Sequence, residues 1–166
     1  MSLYTKRVSC RSFDPTPLNQ DQLQTVVDAA RHAPIGRGRY DLWQLRLVTE
    51  ENRLLRLGRA AGEKGEPFYG APALLIACCP LIEREFAAWA SAGCIIENAA
   101  LAATQLGLGS VILLSPMLAL AESALWPSEL DLDSSCRPRM ALAFGTSAKP
   151  LSERDESRTI PVKAFT

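Results

Sequence analysis

Between Pro72 and Pro80 the chain reads Ala73-Leu74-Leu75-Ile76-Ala77-Cys78-Cys79, with no charged or strongly polar side chain. A short apolar run bounded by prolines predicts a strand buried on both faces, in the middle of a sheet. Such a strand needs partners on either side and helices above and below it. The rest of the chain must supply them.

Taken in order, it does. Asp14-Pro15-Thr16-Pro17 is a rigid turn. Asn19 then suits an N-cap, with Gln22 at N3 as in a capping box. Leu23, Val26, Val27 and Ala30 fall at helical spacing on one buried face. Ala33-Pro34 closes that helix, because proline disfavours the α region before it. His32, the only histidine, lies in the last turn. There it complements the helix dipole, so a structural role is preferred to a catalytic one. Trp43 to Val48 alternates as a half-buried strand. Thr49-Glu50-Glu51 opens a helix with acids at its positive end, running to about Ala61 and breaking at Gly62. Lys64 to Gly70 is a loop containing Phe68 and Tyr69.

From about Ile82 the pattern is helical again, and apolar or small nearly all round, so this helix should be buried. Ala92, Gly93, Ala99, Ala100, Ala102 and Ala103 would let a neighbouring helix approach closely. That makes the helix a candidate for the middle of a subunit interface, or for an intrachain core. Gly107 ends it. Val111 to Leu114 predicts a buried strand, and Ser115-Pro116 turns into a short helix from about Met117 to Trp126. Pro127 to Pro138 reads as irregular, its Asp131, Asp133, Ser134 and Ser135 forming a solvated loop and not a metal site. Met140 to Phe144 is a last strand, closed by Gly145. Thr146 to Thr166 is polar and then ends in an apolar tip around Ile160, Val162 and Phe165, as if to lie on a partner subunit.

The chemistry-bearing stretch is Lys6-Arg7-Val8-Ser9-Cys10-Arg11-Ser12-Phe13. In an extended segment Arg7, Ser9 and Arg11 point the same way. In a helix, Arg7 and Arg11 would still share a face. Two guanidinium forks and a hydroxyl converging on one volume suit a phosphate. The plainer alternative is a solvated basic start to a surface segment. Ile35-Gly36-Arg37-Gly38-Arg39-Tyr40-Asp41 is a second arginine-bearing loop, whose glycines allow backbone to approach a ligand or partner closely.

Composition narrows the function classes. The chain has 166 residues, 48% of them hydrophobic and 22% charged, which fits a single domain with a sizeable core. A formal net charge of zero argues against a nucleic-acid-binding surface. The five cysteines, Cys10, Cys78, Cys79, Cys94 and Cys136, are odd in number and lack a Cys-x-x-Cys, as expected of reduced, buried thiols in a cytosol. The uncharged segment Asn98 to Ala121 is too interrupted by polar and turn residues to be a membrane span. With a lone histidine and no ligand-spaced pairs, no metal site is expected.

Arg7-Val8-Ser9-Cys10-Arg11-Ser12-Phe13, the Ala29-Ala30-Arg31-His32-Ala33-Pro34 helix end, Ala92-Gly93-Cys94-Ile95-Ile96-Glu97-Asn98 with Leu106-Gly107-Leu108-Gly109-Ser110, and Ala141-Leu142-Ala143-Phe144-Gly145 together resemble the nitroreductase family. The resemblance implies an α+β fold, a three-layer α/β/α sandwich with a mainly antiparallel sheet, dimeric. The chain would form a single domain over 1–166, with 146–166 a C-terminal extension reaching the partner subunit. It further implies FMN at the interface of a homodimer. Arg7, Val8, Ser9 and Arg11 would hold the phosphate end, and Leu114 and Ser115 would approach the ring. Pro34, Ile35 and Gly36 would arrive from the other subunit, and Arg158 (or Arg154) of the tail would meet the phosphate. The implied activity is that of a cytoplasmic FMN-dependent NAD(P)H oxidoreductase. It would reduce nitroaromatic, quinone or similar electron-poor small molecules by ping-pong hydride transfer through flavin N5, with no catalytic side chain needed and no nucleic-acid or membrane partner. Two departures stand out. The family's polar Asn and Gln are absent between Ile35 and Trp43, where Arg37 or Arg39 would substitute as donors. The chain is also short between Pro80 and Glu83, leaving the flavin open or covered by the Phe68-Tyr69 loop. The first departure motivates an alternative, a non-catalytic flavin-binding or carrier protein; a structural dimer without cofactor is the other.

Overall fold

The proline-bounded run is β2 (Ala73–Pro80), and it is an interior strand, with Ala73 to Cys79 all buried. In this computed structural model, which describes residues 2–62, 66–81, 85–133, 135–152, 155, 157 and 159–165, β2 pairs antiparallel with β1 (Gln44–Val48) on one side and β4 (Cys136–Gly145) on the other. β3 (Gly109–Leu113) pairs antiparallel with β4, giving the sheet order β1-β2-β4-β3.

Strand alternation divides the core in two. Leu74, Ile76, Cys78, Val111, Leu113, Ala141 and Ala143 point to the side of α3 (Glu51–Ala61), α5 (Ser115–Glu122) and α6 (Trp126–Glu129), where they meet Leu57, Met117, Leu120 and Trp126. Ala73, Leu75, Ala77, Leu142 and Phe144 point to the side of α2 (Gln20–Arg31) and α4 (Glu85–Gln105), against Val26, Ile95, Ile96 and Ala99. Burying each Leu or Ile here contributes about 1.5–3 kcal/mol relative to leaving it exposed. The α2 capping box is present as the sequence predicts: Asn19 Oδ1 accepts from the Gln22 N–H at 2.9 Å, and Gln22 Oε1 accepts from the Asn19 N–H at 3.0 Å. His32 caps the C-terminus of α2, its Nδ1 donating to the Asp28 carbonyl at 2.7 Å.

The alanines of α4 face inward. Ala92, Ala99, Ala100 and Ala103 are buried within the protomer, beside α2 and the sheet. The close neighbour their size admits is α2 of the same chain, and Asn98 Nδ2 ties the two helices by donating to the Ala29 carbonyl at 3.2 Å. The opposite stripe of α4 is open: Phe86, Ala90 and Cys94 are exposed, and no atom lies within 4 Å of where a Cβ on Gly93 would sit. Cys94 therefore departs from the expectation of buried thiols, which Cys10, Cys78, Cys79 and Cys136 meet. α4 is long and apolar enough to cross a membrane by length and composition, but half of that window is buried in this fold as a core helix.

Three further expectations are corrected. The short helix begins at Ser115, not Met117, and ends at Glu122; Trp126 starts the separate α6. β4 begins at Cys136, four residues before the predicted Met140. Pro138 is tolerated because β3 pairs only with Ala141 to Gly145, so at residue 138 the far side of β4 carries no strand. The register also slips between Ala77 and Cys78, which pair with Met140 and Pro138, making Arg139 the extra residue of a β-bulge. The bulge turns Arg139 inward, where Nη1 donates to Glu85 Oε2 at 2.7 Å, Nη2 donates to the Pro80 carbonyl at 2.9 Å, and the guanidinium lies 5.5 Å from the Trp89 ring centre. Finally, Phe68, read from the sequence as part of a loop over the ligand, is a buried core side chain beside α3, which leaves Tyr69 as the exposed aromatic of that loop.

Candidate functional site

The N-terminal stretch combines a helical turn with an extended run. α1 (Leu3–Lys6) ends at Arg7, and the chain then runs extended along the outer edge of β3. Ser9 forms a parallel bridge with Ser110, and the Cys10 N–H donates to the Ser110 carbonyl at 2.8 Å. The next residues cross to the chain beyond β4. The Asp14 N–H donates to the Thr146 carbonyl at 2.9 Å, and the Ala148 N–H donates to the Ser12 carbonyl at 3.0 Å. Cys10 is buried between exposed Ser9 and Arg11 as an inward anchor, and Phe13 is buried where the segment crosses toward the chain beyond β4. The alternation holds over residues 9–11 only.

Gly109 makes the approach possible. A Cβ there would stand 2.8 Å from Cys10 Cβ and Sγ, well inside van der Waals contact. The Cys10 thiol lies 3.2 Å from the Ser12 carbonyl and 3.3 Å from Ser147 Oγ. Neither residue carries a functional signature in the sequence, yet together they fix where Ser9 and Arg11 stand.

The guanidinium groups differ. Arg7 is largely covered, its side chain 18% exposed, and its Nε lies 3.4 Å from Glu97 Oε1 on α4. Arg11 is exposed and has no ion-pair partner among the described residues. Val8 is half-buried. Four strand steps beyond Ser110, about 13 Å at the usual rise, β3 delivers Leu114 and Ser115 at the start of α5. Leu114 is 44% exposed, and no side chain caps this helix start, where Pro116 follows. The first N–H groups of a helix have no intrahelical partner, so this corner offers a donor beside an apolar surface. Ser9 thus lies on the outer edge of β3, Arg7 and Val8 precede it, Arg11 follows it, and Leu114 and Ser115 stand at the far end of the same strand.

Pro34, Ile35 and Gly36 lie elsewhere. They follow α2, and Ile35 packs against the α2–α4 core. The Gly36 N–H donates to Ser91 Oγ at 3.0 Å, and the Ser91 hydroxyl passes its own proton to the Ala87 carbonyl at 2.9 Å. Two 3-10 turns follow, with Arg37 held at φ 59°. Arg39 is committed to Asp41 in a bidentate pair at 3.0 and 2.9 Å, whereas Arg37 has no ion-pair partner among the described residues. Arg158 and Arg154, the tail arginines singled out from the sequence, lie outside the described residues. Two shallow cavities, of about 390 and 230 Å³, open beside Gly107 between α4 and residues 146–152; their walls include Lys6, Ser147 and Lys149 but none of the residues expected to hold the cofactor.

The sequence profile of the nitroreductase family matches residues 4–77 and 42–146 of the chain. The chain belongs to the nitroreductase family. Solved structures agree on the fold. A nitroreductase with bound FMN from Bacteroides fragilis superposes with a TM-score of 0.84 at 22% identity, over 98% of this chain and 97% of that one. A nitroreductase with bound FMN from Desulfitobacterium hafniense has a TM-score of 0.77 at 22% identity, over 97% and 96%. A putative NADH oxidase from Clostridium acetobutylicum has a TM-score of 0.79 at 16% identity, over 99% and 100%. No curated protein matches the chain. For this nitroreductase-family chain the signals missed in the sequence were quiet ones. Glu97 is the one carboxylate in the body of a mostly apolar helix that starts at Glu85, and Gly109 is a glycine that reads as part of a turn.

Proposed function

We propose that this chain is an FMN-dependent NAD(P)H oxidoreductase. It works as a cytoplasmic homodimer of the three-layer α/β/α sandwich, and it reduces nitroaromatic, quinone or similar electron-poor acceptors in a ping-pong cycle. The observation that carries the reading is the pinned strand edge. Ser9 and Arg11 are exposed at one end, Leu114 and Ser115 lie at the other, and Arg7 is half-sheltered beside them. These residues fit the group. The terminal nitrogens of Arg7, the Arg11 fork and the Ser9 hydroxyl match phosphate oxygens. The apolar face of Leu114 and the Ser115 N–H at the start of α5 match the edge of a flat polar ring. FMN, when bound, supplies the hydride-accepting and hydride-donating centre at N5, while the protein binds, orients and tunes it.

In this reading Pro34, Ile35 and Gly36 cover the ring from the second subunit, and the exposed stripe of α4 forms the middle of the interface. The exposed Ile160, Val162 and Phe165 of the tail pack on the partner, bringing Arg158 to the phosphate. The test is spectroscopic. Purified protein loaded with FMN is expected to be yellow and to bleach with NADH or NADPH without oxygen. Replacing both Arg7 and Arg11 by Ala is expected to remove about 2–5 kcal/mol of FMN binding. Unchanged affinity in that double variant would end the assignment.

A second reading rests on the 36–42 loop. With Arg39 tied to Asp41, Arg37 is the uncommitted donor among the described loop arginines. A protein that takes up FMN but leaves it oxidised in excess NADH and NADPH would be the flavin-binding or carrier protein instead.

A further inference from the structure

We infer that Glu97 is a positioning residue for the cofactor's phosphate, acting through Arg7; the inference rests on the FMN reading above. Three observations carry it. First, Arg7 is the covered member of the cationic pair: its side chain is 18% exposed, and a guanidinium that far out of water needs a countercharge or an anionic ligand. Second, the contact is one-sided. It is made by Nε with Glu97 Oε1 at 3.4 Å, longer than the 2.7–2.9 Å usual for a charge-assisted bond. It is an ion pair and not a hydrogen bond, and neither Nε nor the terminal nitrogens of Arg7 carry a hydrogen bond to any described residue. A closed carboxylate fork would use both edges, as Arg39 does with Asp41. Third, the two partners come from separately braced elements. Glu97 stands on a helix whose neighbours Ile95, Ile96, Ala99 and Ala100 are core residues, and Arg7 leads directly into the segment fixed on β3. The carboxylate therefore draws the inner side of the guanidinium toward α4 by charge while leaving its outer edge for two phosphate oxygens.

The expected consequence separates FMN from riboflavin, which has the same ring but no phosphate. The experiment is equilibrium binding of both flavins to apo-protein of wild type, E97A, E97Q, R7A and R7A/E97A, read by quenching of flavin fluorescence. In E97A, FMN binding weakens about tenfold, the scale on which partners that orient metal ligands act, and riboflavin binding does not change. E97Q keeps the shape but not the charge, and loses about as much as E97A. In the R7A background, removing Glu97 has no further effect. Glu97 is 45% exposed, so its truncation leaves no closed void and the variants are expected to fold. FMN binding by E97A that is unchanged or tighter overturns the inference, and so does an equal loss of FMN and riboflavin. If R7A weakens FMN binding while E97A does not, the inference falls and the FMN reading stands. Wild-type protein that takes up neither flavin overturns both.

Discussion

The N-terminal segment and the 35–42 loop both carry arginines on an exposed backbone, yet they are held in different ways. Residues 9–14 are bound to Ser110, Thr146 and Ala148 through the main chain, with Cys10 and Phe13 buried beneath them. Residues 36–42 are joined to the body of the protein by few bonds, chiefly Gly36 to Ser91 and the Tyr40 hydroxyl to the Ala33 carbonyl at 3.3 Å. The first arrangement fixes side chains to within the tolerance of a sheet edge. The second fixes only where the loop starts and ends. A charged group that must be grasped identically each time belongs on the first; a surface that must suit varied partners belongs on the second.

The largest expected effect breaks the first region. Phe13→Ala removes a buried ring and should cost about 3–5 kcal/mol of stability, measured by urea unfolding. A loss near zero would mean that the segment is not braced by its core side. Gly109→Ala comes next. Overpacking of this kind costs about 1–3 kcal/mol, and here it pushes Cys10 off β3, so FMN affinity should fall together with stability. Affinity that survives the substitution would separate the binding cluster from the strand edge.

An alkaline titration tests the half of the core that lies behind the first region. Burial pushes the Cys136 thiol up to about 11 from its ordinary 9.0, and burial raises Cys78 further. A raised folded-state value means that the unfolded chain gives up its protons first, so stability is intact below about pH 9 and declines as pH rises toward 11. Thermal melts between pH 8 and 11 should show that fall, and Cys136→Ala should make it shallower while the share due to Cys78 remains. Smaller still, Ser91→Ala removes the anchor of Gly36 and should cost about 0.5–1.5 kcal/mol. Its clearer signature would be faster amide exchange in residues 36–42 with residues 9–13 unaffected. Asp41→Asn should leave the melting temperature unchanged, because the Arg39–Asp41 pair is solvated.

What could be read in advance followed from local signals. The β2 run and the capping box at Asn19 and Gln22 each depend on neighbours a few residues away. What could not be read depended on distant neighbours. Pro138 hides the first part of β4, because only the sheet order reveals that its far side has no strand to feed. The inward face of the α4 alanines is decided by α2, some seventy residues earlier at Asn98 and Ala29. Glu97 acquires a role only once Arg7 is laid beside it.

The bridge between Ser9 and Ser110 has a consequence beyond ligand binding. β3 is a terminal strand of the sheet, and a bare terminal strand is a template for another chain. The residues proposed to grip the phosphate thus also act as a guard rail along that margin. Shortening the protein past Phe13 would leave it both blind to its ligand and prone to clump.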